Sequence, residues 1–138
     1  MSEPRPIRVL LVEDNPHVAE LITDGLESAA RRELLGRVAF VFDVCGDGQA
    51  ALERVEQVTF DLIILDVYMP VMDGAQFLRL IRARPHLAST PVIALSAGGP
   101  AAREAAMGAG ADIYLDKPIR LTEVMAAAAK LLGARPAG

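Results

Sequence analysis

Four apolar residues in a row, Leu62-Ile63-Ile64-Leu65, end abruptly in a carboxylate, Asp66. A strand of this kind has no polar face. Both of its sides must be covered, as in a parallel sheet with helices above and below. Asp66 then stands at the C-terminal end of a buried strand, where open α/β sheets place their ligand sites. A carboxylate is too costly to bury there unpaired. It needs a cation, a hydrogen-bond network or a retained proton. Taken alone, Asp66 is explained equally well as a turn former that caps the next loop.

The rest of the chain alternates between strand and helix patterns. After a lead-in over Met1–Pro6, Ile7–Val12 reads as an apolar strand that ends at Glu13-Asp14-Asn15-Pro16. Val18, Leu21, Ile22, Leu26, Ala29 and Ala30 recur at helical spacing, Leu34-Leu35 extend the pattern, and Gly36 is a stop signal. Val38–Val44 is a second strand. Asp47 then caps a helix over Gln49–Gln57. Phe60–Leu65 is the third strand, followed by a helix over Gly74–Ala83. Pro91–Ser96 is a fourth strand, with a helix over Ala101–Met107 that ends at Gly108. Ala111–Leu115 is a fifth strand, and Leu121–Leu132 a last, Ala-rich helix. Five βα units in succession predict a doubly wound, five-stranded parallel sheet in one domain, with its core over 7–132. Residues 133–138 read as a flexible tail or the stub of a linker.

Composition narrows the functional classes. A hydrophobic content of 52% in 138 residues suits a folded domain whose core, without Trp, is built from Val, Ile, Leu and Ala. The net charge is −4, and Arg31-Arg32 is the longest basic run, so no nucleic-acid footprint is expected. A single cysteine, Cys45, rules out a disulfide within the chain. No signal-peptide core and no run of membrane-spanning length is present, so a cytoplasmic protein without membrane contact is the expectation. His17 and His86 read as surface residues, Met69 and Met72 as loop anchors, and Cys45 as a small apolar strand residue.

The strand ends carry matching chemistry. The first offers Glu13 and Asp14, the third Asp66, the fourth Ser96, and the fifth leads into Lys117-Pro118. A doubly wound sheet opens all of these ends on one edge. Carboxylates gathered there repel one another and call for a divalent cation. Oxygen donors without His or Cys suit Mg²⁺ rather than zinc. A lysine and a hydroxyl beside such a metal site can hold a phosphoryl group. Each residue alone has a plainer reading. Glu13-Asp14 can cap a helix, Lys117 can be a surface lysine, Ser96 a small turn residue and Tyr114 an ordinary strand aromatic.

Together these stretches resemble the receiver domain of two-component response regulators, with its CheY-like, flavodoxin-like (βα)5 fold. The resemblance runs from about Ile7 to Leu132. It is carried by Leu10-Leu11-Val12-Glu13-Asp14-Asn15, by Asp66-Val67-Tyr68-Met69-Pro70-Val71-Met72-Asp73-Gly74, by Val92-Ile93-Ala94-Leu95-Ser96-Ala97, and by Gly110-Ala111-Asp112-Ile113-Tyr114-Leu115-Asp116-Lys117-Pro118. The resemblance implies that Asp66 accepts the phosphoryl group. It implies that Asp14 binds Mg²⁺ directly, Glu13 through water, and Tyr68 through its backbone carbonyl. Lys117 would pair with the phosphoryl group, and the peptide that follows it is often cis in this family. Ser96 and Tyr114 would be the switch pair, the ring turning inward as the hydroxyl moves toward the phosphoryl group.

The implied function is a signalling phosphoacceptor rather than an enzyme. Its donor would be a histidine kinase or a phosphotransfer protein, and it would promote its own phosphorylation and dephosphorylation. Its readout would be a downstream protein target or self-association through the 101–132 face. Rival readings fit less well. A haloacid-dehalogenase-like phosphatase needs a second Asp where Tyr68 stands. A flavodoxin-like module would need a phosphate cradle where Glu13-Asp14 would repel the ligand. A receiver-fold adaptor acting without phosphorylation is the remaining alternative, although Asp66, Lys117 and the acidic pair are all retained. Two departures from the family pattern stand out. The segment after Asp14 is long, which reads as a surface extension of the first helix or a partner contact. The Ala101–Met107 helix is rich in Ala and poor in charge, which reads as a mobile output segment or an apolar docking face.

Overall fold

The computed structural model describes residues 5–33, 38–68 and 72–133. The Leu34-Leu35 extension and Gly36 stop of the first helix lie outside the described residues. So do Met69, Pro70 and Val71, positions 1–4 of the lead-in, and positions 134–138 of the tail. Five strands alternate with five α-helices: β1 Arg5–Val12, α1 Pro16–Glu33, β2 Val38–Cys45, α2 Gly48–Gln57, β3 Leu62–Asp66, α3 Gly74–Arg82, β4 Val92–Ser96, α4 Gly99–Ala109, β5 Ile113–Asp116 and α5 Leu121–Gly133. All strand pairs are parallel, in the order β2-β1-β3-β4-β5. This is the expected doubly wound α/β architecture.

The sheet is covered on both faces because its strands are apolar at odd and even positions alike. Leu10, Val12, Ile63, Leu65, Val92 and Ala94 pack with Phe77, Leu78 and Ile81 of α3 and with the small side chains Ala102 and Ala106 of α4. Their neighbours Val9, Leu11, Leu62, Ile64, Ile93 and Leu95 face the other way, onto Ile22 and Leu26 of α1 and Val124 and Ala128 of α5. This alternation fixes the register. A slip of one residue would exchange the two cores without relieving either.

Several boundaries differ from the sequence reading. Arg5 and Pro6, expected in the lead-in, pair with Val38 and Ala39 and extend β1. β3 begins at Leu62, not Phe60. Asp61 replaces one rung of the ladder with its carboxylate, which accepts from Arg8 N at 2.9 Å. α4 is longer than expected because Gly99-Pro100 already belong to it, and it runs on to Ala109. β5 is Ile113–Asp116, two residues shorter at its start and one longer at its end. A short 3₁₀ turn, Pro85–Leu87, follows α3 and was not expected. Among the described residues, no helix is long and apolar enough to cross a membrane.

The start of α3 sits hard against the end of β3. Gly74 N donates to Val67 O at 2.8 Å, and a Cβ at Gly74 would come within 2.7 Å of Val67 Cα and 3.0 Å of Asp66 O. Backbone cannot yield as a side chain can. Gly74→Ala is therefore predicted to cost about 1–3 kcal/mol in urea unfolding, the usual penalty of overpacking. An unchanged unfolding midpoint would show that the β3–α3 junction is not this tight.

Candidate functional site

The C-terminal ends of β1, β3, β4 and β5 bring the predicted residues together. Glu13 follows β1 and is held by its N–H, which donates to Cys45 O at 2.9 Å. Asp66 ends β3, and the backbone continues into the sheet edge through Val67 N, which donates to Leu95 O at 2.9 Å. Glu13 and Asp66 are buried, at 3% and 4% exposure, whereas Asp14 is open to solvent. One oxygen from each of Glu13, Asp14 and Asp66 lies within 4.8 Å of the others.

Lys117 supplies the opposing charge. Its Nζ lies 3.2 Å from Asp66 Oδ2 and 3.7 Å from Glu13 Oε1. The other Asp66 oxygen, Oδ1, accepts from Tyr68 N at 3.2 Å. Lys117 is fixed by its own N–H, which donates to Ser96 O at 2.9 Å, and the following peptide to Pro118 is cis. One ammonium therefore faces two buried carboxylates, with a third at the rim. Among the described residues Glu13 Oε1, though buried, has no hydrogen-bond partner, only the Lys117 ammonium at 3.7 Å. An orphaned oxygen beside two more carboxylate oxygens fits a hard divalent cation such as Mg²⁺, which takes oxygen donors and keeps some water.

The electrostatics agree. Burial pushes the Glu13 carboxyl up from 4.5 to about 7, and the nearby Asp66 charge adds to the rise. Asn15 N, donating to Oε2 at 3.1 Å, and Lys117 oppose it. Asn15 is the residue that sequence reasoning undervalued. Its side-chain oxygen accepts from His17 N at 2.9 Å and Val18 N at 3.3 Å, capping α1 while its backbone N–H orients Glu13. An Asn just before a Pro that opens a helix is the signal that identifies it.

Ser96 is fully buried. Among the described residues its Oγ accepts from Gly98 N at 3.0 Å and has no hydrogen bond to Asp66. Tyr114 lies inward at 7% exposure, its hydroxyl donating to Ser96 O at 3.4 Å. The Arg103 guanidinium stands 5.9 Å from the centre of its ring. The two residues proposed as a switch pair are thus adjacent, joined through the Ser96 carbonyl rather than its hydroxyl. Tyr68, at the position expected to offer a carbonyl, is 59% exposed, with its ring beside Gly98 at the entry to α4.

A pH dependence follows for protein free of divalent cations. Folded Glu13 holds its proton more tightly than the unfolded chain does. The associated stability is full below the unfolded value of 4.5 and is lost as the pH rises through about 7. In the presence of a chelator, the urea midpoint is predicted to fall between about pH 5 and pH 8, and Glu13→Gln to flatten that fall. An equally steep decline in Glu13→Gln would place the titrating group elsewhere.

Residues 9–129 match the response regulator receiver domain family. The chain is 40% identical over 112 residues to the signal transduction histidine-protein kinase BarA of Escherichia coli, a match that covers 80% of this chain and 11% of the kinase. It is 38% identical over 133 residues to the transcriptional activator protein PfeR of Pseudomonas aeruginosa, covering 96% of this chain and 39% of the activator. It thus spans less than half the length of either curated relative. Its fold matches the receiver domain of a sensor histidine kinase from Pseudomonas aeruginosa with a TM-score of 0.81 at 31% identity. That match covers 94% of this chain and 99% of the other, whose crystal structure has a magnesium ion coordinated in the active-site cleft. A Chloroflexus aurantiacus protein described as a response regulator gives a TM-score of 0.83 at 28% identity, over 94% of this chain and 99% of the other. With the acidic cluster, the facing lysine and the doubly wound sheet already in place, these matches show that the chain belongs to the response regulator receiver domain family of two-component signalling.

Proposed function

We propose that this receiver domain accepts a phosphoryl group on Asp66 from a phosphohistidine of a histidine kinase or phosphotransfer protein. The observation that carries the reading is the position of Asp66. It is a buried carboxylate with one oxygen 3.2 Å from the Lys117 ammonium, beside two further carboxylates. In the transfer, an Asp66 oxygen attacks phosphorus as the phosphorus–nitrogen bond breaks, and that bond's electron pair returns to the imidazole. Hydrolysis later breaks the acyl-phosphate bond by attack of water on phosphorus, which restores the carboxylate. Neither step needs another catalytic group to form a covalent bond, so positioning and charge neutralisation dominate.

Glu13, Asp14 and Asp66 would hold Mg²⁺ with the Tyr68 carbonyl, and the ion would neutralise the phosphoryl oxygens. Lys117, now shared between Asp66 and Glu13, turns to the new oxygens and offsets their charge. The Ser96 hydroxyl exchanges its bond from Gly98 N for a donation to the phosphoryl group, which draws the loop after β4 inward. The faces of α4, β5 and α5 then present the altered surface to a downstream protein or to a second copy. A soluble, cytoplasmic setting suits a partner of this kind.

Two outcomes test this. Incubation with Mg²⁺ and a small phosphodonor is predicted to add one phosphoryl group by intact mass, and Asp66→Asn to abolish the addition. Uptake that persists in Asp66→Asn contradicts the assignment. Lys117→Ala is predicted to slow the transfer by about a hundredfold or more without weakening Mg²⁺ binding, since it removes a charge that matters most in the transition state and leaves the carboxylates in place. A rate within a few-fold of the parent protein would remove Lys117 from the chemistry.

A further inference from the structure

The two ends of α4 are built differently. Its first turn follows Gly98, which provides no side-chain cap, and Gly99 has a φ of +70° that glycine alone adopts without strain. This end adjoins the phosphoacceptor edge, because Gly98 N bonds to Ser96 Oγ. Along its length α4 buries only alanines: Ala102, Ala106 and Ala109. Alanine side chains make fewer van der Waals contacts than larger ones, so each buried position of α4 resists a tilt less than a leucine or phenylalanine would.

The other end is tied down by one side chain. Arg82, the last residue of α3, donates through Nε to Gly110 O at 3.0 Å, just beyond α4. Its Nη1 donates to Leu87 O at 3.0 Å, Ala88 O at 3.2 Å and Thr90 O at 2.7 Å. Its Nη2 pairs with Asp112 Oδ2 at 3.2 Å, and that carboxylate oxygen also accepts from Val92 N at 2.8 Å. One guanidinium therefore joins the end of α3, the 3₁₀ turn, the entry to β4, the end of α4 and the entry to β5. The helix terminus is closed as well, with Gly110 at φ +117° donating to Ala106 O and Met107 O. A Cβ at Gly110 would run into the Arg82 side chain, so the two residues fit only as a pair.

We propose that Arg82 is the positioning residue that fixes the far end of α4, so that α4 swings about Gly110 with Gly98-Gly99-Pro100 as its moving end. The inference rests on the phosphoacceptor reading of Asp66 for what sets the swing in motion. Arg82 itself lies at the opposite edge of the sheet, away from all the chemistry. A charge at Asp66 that draws the Ser96 loop inward then becomes a change of helix angle rather than a shift of the whole helix.

The alanines along α4 supply probes for the test. With alanine methyl groups labelled for NMR, beryllofluoride and Mg²⁺ are added, and adduct formation at Asp66 is followed separately by fluorine NMR. The expected result is a methyl shift that is large at Ala102, smaller at Ala106 and nearly absent at Ala109. In Arg82→Met, the Ala109 methyl should move about as far as that of Ala102, with the fluorine signal of the adduct unchanged. Asp112→Asn keeps an acceptor for Val92 N but removes the charge facing Arg82. It should give an intermediate response, and it serves if Arg82→Met folds poorly. The pivot is overturned if Ala109 moves as much as Ala102 in the parent protein, or if neither variant alters the gradient. Absence of the fluorine adduct would count against the Asp66 reading instead. The pivot is then judged on the adduct-free proteins, where the variants must loosen the Ala109 methyl and leave that of Ala102 unchanged, and equal mobility of Ala109 in parent and variants overturns it.

Discussion

One ammonium facing two buried carboxylates is the interaction on which this site depends. Lys117 lies within 3.2 Å of Asp66 and 3.7 Å of Glu13. Removing it would leave like charges buried side by side, a costly arrangement in a low-dielectric setting. Even with Lys117 in place the balance is incomplete. Burial raises the Glu13 carboxyl to about 7, and among the described residues one of its oxygens has no hydrogen-bond partner. The fold assembles a site that is short of positive charge, and that deficit favours a divalent cation. The sheet makes the deficit possible, because two apolar cores hold the strand ends rigidly enough to keep the carboxylates together.

Much of this was legible in the sequence. The uninterrupted apolar runs at Leu62–Leu65 and Val92–Leu95 required helices on both faces, and the carboxylates at the strand ends then had to share one edge. Asp47 as the cap of α2 was equally readable, and its carboxylate accepts from Ala50 N at 2.8 Å. What escaped were features set by long-range contacts. Arg5 and Pro6 look like a loop until Val38 and Ala39 are placed beside them. Arg82 reads as an ordinary basic residue at a helix end, because its backbone partners come from three other segments. Side-chain orientation escaped for the same reason. Nothing local decides that Ser96 Oγ turns to Gly98 N or that the Tyr114 hydroxyl reaches the Ser96 carbonyl.

The protein divides its labour between the two edges of the sheet. The edge where strands end carries charge that seeks a counter-ion, beside small and capless turns such as Gly98-Gly99. The edge where strands begin carries a guanidinium whose donors are satisfied by backbone carbonyls and Asp112. α4 connects the two edges, and on the proposed pivot its Ala-rich buried face lets it respond to one while held by the other. That proposal favours the mobile-segment reading of the Ala-rich helix over the apolar docking face.

The most direct test of the account is the chemical identity of the modified residue. Protein exposed to Mg²⁺ and a phosphodonor is trapped with borohydride, which reduces an acyl phosphate to an alcohol, and is then mapped by peptide sequencing. The account predicts homoserine at position 66 and unmodified Glu13 and Asp14. Reduction at either of those carboxylates, or at none of the three after phosphate uptake has been demonstrated, would contradict it.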